Sequence, residues 1–497
     1  MSTRRFVLAV SLLVLLSVAG VFAVLRPPPA SGCPSFLGSP VVRNQLASTS
    51  FGAVTTFHLP SAGRWPNAIA VAPDGSVWFG EEAVPALAHF FATNGTLVEY
   101  TLPGAYPTNS SKGYGCSDKT DIWGVALWGG RVWATDSAQD RLVGLSPAND
   151  TFRVVPLAAN DSLPYTLTPG PDDALWFTQI SSGQIGTLFA NGTVAEHSVQ
   201  VTEHFNGTSA AVNLPGVPAQ IVFANSSVGY YVDASPLISG PAVFVFNPED
   251  FNPKPVGTGN LTLSDPDSIS LGDGGVWLAQ HSDSSLAFDN LENGGWTVYP
   301  TSSVGYIGTT LPYFVETNGS LVWFNEHFGN RMAVLDFPNK TLTEYSLSDP
   351  AASNMSQIDN ALTFALGGGR AWFTESSEDS IGFVDASYQP SFAVSADGNS
   401  SLSIHRGQDS NLQVDLRGNS SSPLSIKFSD SSSQTLTDGN ITMRADRGLI
   451  YSLAGNQSLN ITINVGSSTP PGRYTLLVTA TDGLVSRSAY VELSVLP

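Results

Sequence analysis

Basic residues are scarce in this chain, and so is charge of any kind: of 497 residues, 21 are Lys or Arg against 41 Asp or Glu, charged residues are 12% of the total and the net charge is −20. No basic patch can offset phosphate repulsion in such a chain, so nucleic acid is excluded as a partner and neutral ligands or cations fit better. Cysteine is almost missing. Cys33 and Cys116 are the whole complement, which excludes a disulfide scaffold and leaves either one bridge or two free thiols. Also missing are a Gly-x-Ser-x-Gly elbow, a His-Glu-x-x-His helix, a phosphate-cradling glycine loop and cysteines at metal-ligand spacing, so none of those catalytic or nucleotide-binding classes has a signature here.

Only one long apolar run exists, the uncharged stretch from Phe6 to Leu25 behind Arg4-Arg5 and before Arg26-Pro27-Pro28-Pro29. Twenty such residues are long enough to cross a bilayer as a helix, and the small-x-small sequences Ser17-Val18-Ala19 and Val21-Phe22-Ala23 lie inside the run, not beyond it. A retained signal-anchor over residues 1–26 is therefore expected, followed by a linker over 27–50, with secretion after cleavage as the alternative. Sixteen Asn-x-Ser/Thr triplets fit an exported, cell-surface glycoprotein.

What the chain does have is a repeat. A phrase centred on an aromatic residue occurs at Trp78, Trp133, Trp176, Tyr230, Trp277, Trp323 and Trp372, with separations of 55, 43, 54, 47, 46 and 49 residues. That period belongs to a four-stranded propeller blade. One full unit reads Pro66-Asn67-Ala68-Ile69, a turn at Pro73-Asp74-Gly75, a strand through Val77-Trp78-Phe79, a third strand near Ala88-His89-Phe90, a turn at Asn94-Gly95 and a last strand Leu97 to Pro103. Asp-Gly and Asn-Gly turns between short strands are the chemistry of antiparallel hairpins.

The seventh unit lacks its outer strand, and a matching segment, Val54 to Pro60, stands at the start of the repeats. The expected fold is thus all-β: a seven-bladed β-propeller over residues 51–387, closed by an N-terminal strand that completes the last blade and removes the exposed edges. After Tyr388 the tryptophans cease and short alternating runs such as Leu459-Asn460-Ile461-Thr462-Ile463 read as an immunoglobulin-like β-sandwich over 388–497.

The phrases Pro-x-x-Ile, Pro-Asp-Gly, Val-Trp-Phe-x-Glu, Ile-Gly and Glu-Tyr-x-Leu-Pro together resemble the streptogramin lyase (virginiamycin B lyase) group of propellers, over roughly Phe51 to Asp385. That resemblance implies a metal-dependent elimination that opens a cyclic depsipeptide ester, using histidines after the Pro of Pro-x-x-Ile and a glutamate of Trp-Phe-x-Glu. Glu81, Glu326 and Glu375 match the glutamate. The post-proline positions are Asn67, Trp123, Tyr165, Ala219, Asp267, Tyr313 and Asn360, and none is histidine.

Equivalent positions of successive blades lie on a ring, so Glu81, Asp136, Gln179, Asp233, Gln280, Glu326 and Glu375, each three residues after its aromatic, are expected around a channel mouth. The carboxylates Glu81, Asp136, Asp233, Glu326 and Glu375 are the expected metal ligands, for Mg²⁺ or Ca²⁺, whose charge relieves their mutual repulsion. The alternative is solvated residues bonded to turn amides. Gln280-His281 and Glu326-His327 put an imidazole beside the ring on neighbouring blades, where it could share a cation or a proton. The leading expectation is a non-catalytic binding module for a small molecule, glycan or protein at a propeller face, held to the membrane by the N-terminal helix. The alternative is a metal-dependent lyase or lactone hydrolase whose site is His281, His327, Glu326 and Glu375.

Overall fold

The computed structural model describes residues 40–61, 63–82, 85–103, 121–204, 211–234, 242–258, 261, 263, 265–302, 310–347, 361–396, 400–431 and 441–497. The expected anchor, most of the linker, Cys33, Cys116 and Asn360 lie outside them. Among the described residues no helix is long and apolar enough to cross a membrane. The described residues are all-β, in largely antiparallel sheets with two short 3₁₀ turns.

Each repeat folds into its own antiparallel sheet, and the strand carrying the aromatic phrase is its most buried member. Val77–Glu81, Ala174–Gln179 and Gly275–Gln280 are buried along their whole length. A strand covered on both faces needs no polar alternation, which is why Val-Trp-Phe reads as a continuous apolar run. Small residues on the next strand make room for the phrase's bulky members. Gly186 faces Phe177 across the ladder, and a Cβ there would lie 2.0 Å from the Phe177 ring. This close approach is the physical content of the Ile-Gly motif.

Contacts divide the chain into two compact units. The first holds Phe57–Gly257, Thr374–Ile381 and the segment up to Ala47. It contains four repeat sheets, whose phrase strands are Val77–Glu81, Arg131–Asp136, Ala174–Gln179 and Val228–Asp233. The phrase aromatic of one sheet packs on the following sheet. Trp78 lies among Val125, Val132 and Ala134, Trp133 among Leu175, Phe177 and Leu188, and Trp176 among Ile221, Tyr231 and Phe244. In this unit Leu59 N donates to Asp379 O (2.9 Å), tying the end of the N-terminal strand to the last repeat.

The second unit holds Thr258–Phe373, Gly382–Pro497 and Ser48–Thr56. Its repeat sheets are built on Gly275–Gln280 and Leu321–Glu326, and Trp277 packs on Val315, Val322 and Phe324. Asp385 N donates to Ala53 O (2.9 Å), so Val54–His58 runs beside Ser380–Asp385, as its likeness to the outer strands of the other repeats predicts.

The C-terminal segment forms two facing layers around their own apolar core. Leu412, Val414, Leu459, Ile461 and Ile463 come from one layer, and Val478, Ala480, Val491 and Leu493 from the other. Its last strand, Val485–Leu496, also pairs antiparallel with Thr341–Ser346, the outer strand of a repeat sheet, with Thr341 opposite Ala489 and Tyr345 opposite Val485. Leu477 and Tyr490 pack into the Trp277 cluster, and Tyr490 donates its hydroxyl to Pro300 O (2.8 Å). One nine-stranded sheet results.

Candidate functional site

In five repeats the polar residue that ends the phrase, Glu81, Asp136, Gln179, Gln280 or Glu326, faces the first residue of the next strand, and the identity of that residue shapes its company. Arg141 sits opposite Asp136 and binds it (Nε to Oδ2, 2.7 Å). Arg331 sits opposite Glu326. Ser285 sits opposite Gln280 and accepts its amide hydrogen bond (2.8 Å). Opposite Glu81 stands Ala86, and the cation comes instead from the loop before the repeat, where buried Arg64 reaches Glu81 (2.8 Å) and also Glu99. Cross-strand pairing of opposite charges within one sheet is ordinary sheet chemistry.

Burial dominates the protonation of these acids all the same. It pushes Glu81 up to about 7 against the pull of Arg64, and Asp136 up to about 6 against that of Arg141. Burial also raises Glu326, helped by the charge of Glu344 and opposed by Arg331. Asp233 accepts a hydrogen bond from the backbone N–H of Val217 (3.0 Å), and Glu375 is buried at the end of Arg370–Glu375. Glu81 and Asp136 therefore each have a guanidinium group where a metal ion was expected, whereas Arg331, which faces Glu326 across the ladder, lies against Glu344 (3.5 Å).

A different cluster forms in the second unit, from two repeats. Pro266 pairs with Gln280, so the acids on either side of Pro266 are brought to the residue that follows Gln280. His281 opens a 3₁₀ turn, and its N–H donates to Asp265 O (3.1 Å). The same backbone bond joins Glu82 to Trp65 and Ile180 to Leu163, so the fold makes this juxtaposition in several repeats and only here places carboxylates and an imidazole in it. His281 Nδ1 lies 3.6 Å from Asp265 Oδ2 and 3.4 Å from Asp267 Oδ2, and the three side chains are 17, 20 and 16% exposed respectively. Its other nitrogen, Nε2, lies 2.7 Å from Nε2 of His327, which is only 2% exposed.

The two imidazoles stack at 13°, and Tyr313 flanks both, with ring centroids 5.3 and 5.5 Å away. Ser282 donates its hydroxyl to Asp265 (3.1 Å). Burial acts to lower the His281 pKa, but the hydrogen bond and charge of Asp265 together with the charge of Asp267 outweigh it, so the net shift is upward. Asp267 is raised by burial and by Asp265, against the attraction of His281.

Of the sequence-predicted residues, the structure joins His281 and His327. It places Glu326 with Glu344 and Arg331. Among the described residues, Asp265, Asp267 and His281 are the three donor side chains that come within 4.8 Å of one another, and none of Glu81, Asp136, Asp233, Glu326 or Glu375 is in that group. Asp265 and Asp267 were missed as site residues by sequence reasoning. The signal was Asp265-Pro266-Asp267 at the entry of a repeat whose phrase ends in Gln280-His281: the post-proline slot holds a carboxylate, and the imidazole has moved to the far end of the same hairpin.

These sheets and their stacking define a β-propeller fold. Solved structures similar to it include a catalytically inactive variant of virginiamycin B lyase from Staphylococcus aureus with quinupristin, at 18% identity and a TM-score of 0.51, covering 66% of this chain and 98% of that one. A streptogramin B lyase structure is similar at 20% identity and a TM-score of 0.50, covering 66% and 96%. At such identities the likeness is one of fold. No protein-family profile matches the sequence, and no curated protein matches it.

Proposed function

We propose that the protein is an exported, cell-surface glycoprotein whose seven-bladed propeller, followed by an immunoglobulin-like sandwich, binds a small molecule, glycan or protein ligand, with the N-terminal apolar segment as its membrane anchor. One observation carries the placement of the site: the acids Asp136 and Glu81 are each bound by an arginine, whereas Asp265, Asp267, His281, Tyr313 and His327 gather carboxylate, imidazole and aromatic groups in one place. Partly exposed carboxylates beside flat aromatic and imidazole faces suit a neutral or cationic ligand, in keeping with the acidic chain.

A second reading is a metal-dependent lyase or lactone hydrolase. It is favoured by His281, an imidazole held by two carboxylates and paired with a second imidazole, which is how a general base is oriented. It is weakened by Asp267 and Tyr313, which stand where the lyase resemblance requires histidine.

Proton–carbon correlation spectra of the His281 and His327 rings separate the two. Added in turn, neutral oligosaccharides, cationic peptides and quinupristin are expected to perturb those resonances in at least one case, with quinupristin recovered intact by mass spectrometry. Opening of the quinupristin ring would replace binding by catalysis, and resonances that no probe moves would remove the site.

A further inference from the structure

We infer that Asp265, Asp267 and His281 form a binding site for a divalent transition-metal ion, Zn²⁺ in first place. This rests on the ligand-binding reading and places a cation at the centre of that site. Bonds of about 2.1 Å to a tetrahedral ion put neighbouring ligand atoms about 3.4 Å apart. His281 Nδ1 stands 3.4 Å from Asp267 Oδ2 and 3.6 Å from Asp265 Oδ2, close to that separation, and all three donor atoms lie within 4.8 Å of one another. All three come from the two ends of one hairpin, with Asp265 and Asp267 at its entry and His281 following its second strand, so the spacing is set by the ladder between Pro266 and Gln280.

The surroundings of His281 point independently to a ligand histidine. A metal-bound imidazole characteristically donates its second N–H to a fixed acceptor, which sets the tautomer and orients the ring. Nε2 of His281 has such a partner in Nε2 of buried His327 at 2.7 Å, so that with an ion bound Nε2–H would donate to His327 and Nδ1, which gives its proton to the carboxylates when no ion is there, would turn its lone pair to the ion. Asp265 is likewise steadied, by the Ser282 hydroxyl. The donor set decides the ion. Calcium takes six to eight oxygen ligands and magnesium a near-ideal octahedron, whereas two carboxylates and one imidazole with a fourth position open are a zinc-type site, and zinc outranks manganese in affinity for such donors. The open position would take water or a ligand oxygen.

The test uses the full-length chain, stripped with chelator and reloaded. Zn²⁺ is counted by elemental analysis, and Co²⁺ serves as a probe whose visible d–d bands are intense when the ion is tetrahedral. One equivalent per chain with tetrahedral Co²⁺ bands is expected. D265N, D267N and H281A are each expected to weaken affinity at least about 10-fold, and H327A, which removes an outer partner, to keep one equivalent with affinity lowered about 10-fold. Glu292→Gln, at an exposed turn, should leave uptake unchanged. D265N and D267N preserve shape, so they carry the test if H281A fails to fold, with circular dichroism as the check. No uptake by the reloaded chain, or uptake that D267N and H281A leave unaltered, overturns the site. If metal fails while the histidine resonances still answer to oligosaccharide, peptide or quinupristin, the metal is wrong and the binding reading stands; if metal binds and no probe moves them, the binding reading is the one that falls.

Discussion

At the scale of single residues, what decides each acid's role is the residue across the ladder from it. Asp136 and Glu326 look alike in sequence to metal-site carboxylates, yet each faces an arginine, Arg141 and Arg331, at the start of the next strand. Glu81 carries a testable consequence. Burial holds its pKa near 7, above the usual 4.5 of a free glutamate, so the folded state keeps a proton that the unfolded chain releases. Stability from this group is therefore complete below about pH 4.5 and is lost as pH rises through about 7, on the order of 3 kcal/mol in all. Glu81→Gln, which is neutral at every pH, is expected to flatten the fall in melting temperature between pH 5 and pH 8; an unchanged slope would assign it to other groups. Gly186 is legible in the same way: Gly186→Ala puts a methyl into the Phe177 ring and is expected to cost about 1–3 kcal/mol, read from denaturant midpoints.

At the scale of elements, a small device recurs at the turns. The residue before the third strand is left-handed, with φ near 50° at Asp140, Ser284 and Asp379, and its short side chain accepts backbone N–H groups of the loop that enters another sheet. Asp140 takes Asp161 and Ser162, Ser284 takes Thr310, and Asp379 takes Gly63, Arg64 and Trp65 at 2.6, 2.6 and 2.9 Å. Asp379 thus latches the loop after the N-terminal strand to a turn more than three hundred residues away. Asp379→Ala removes a charged acceptor from three amides, and a loss of about 3 kcal/mol is expected, with faster hydrogen exchange at Gly63, Arg64 and Trp65 as the specific sign. Strand positions and turns were legible because Asp-Gly turns and the aromatic phrase repeat. The latch was not, because an aspartate in a turn is common and its acceptor role depends on which loop arrives beside it.

At the scale of the whole molecule, the C-terminal segment is joined to the repeats by main-chain pairing as well as by packing. Val485–Leu496 extends a repeat sheet through Thr341–Ser346, Arg487 reaches Thr343 (2.7 Å), and Leu477 and Tyr490 enter the Trp277 core. A chain ended at residue 387 would bare the Thr341–Ser346 edge and part of that core, and such edges recruit other chains. It is expected to aggregate or melt well below the intact protein, as light scattering during a thermal ramp would record; equal melting would make the segment an independent module. The sequence by itself determined the all-β class, the repeat period, the strands and the N-terminal strand that pairs with the last repeat, because those follow from local periodicity and turn chemistry. Only the tertiary structure decided which acids are neutralised, that the C-terminal strand continues a repeat sheet, and that Asp265 and Asp267 meet His281 and His327. The physical reason is that these depend on register between segments far apart in the chain, where one position along a ladder separates an arginine-bound carboxylate from one that faces an imidazole.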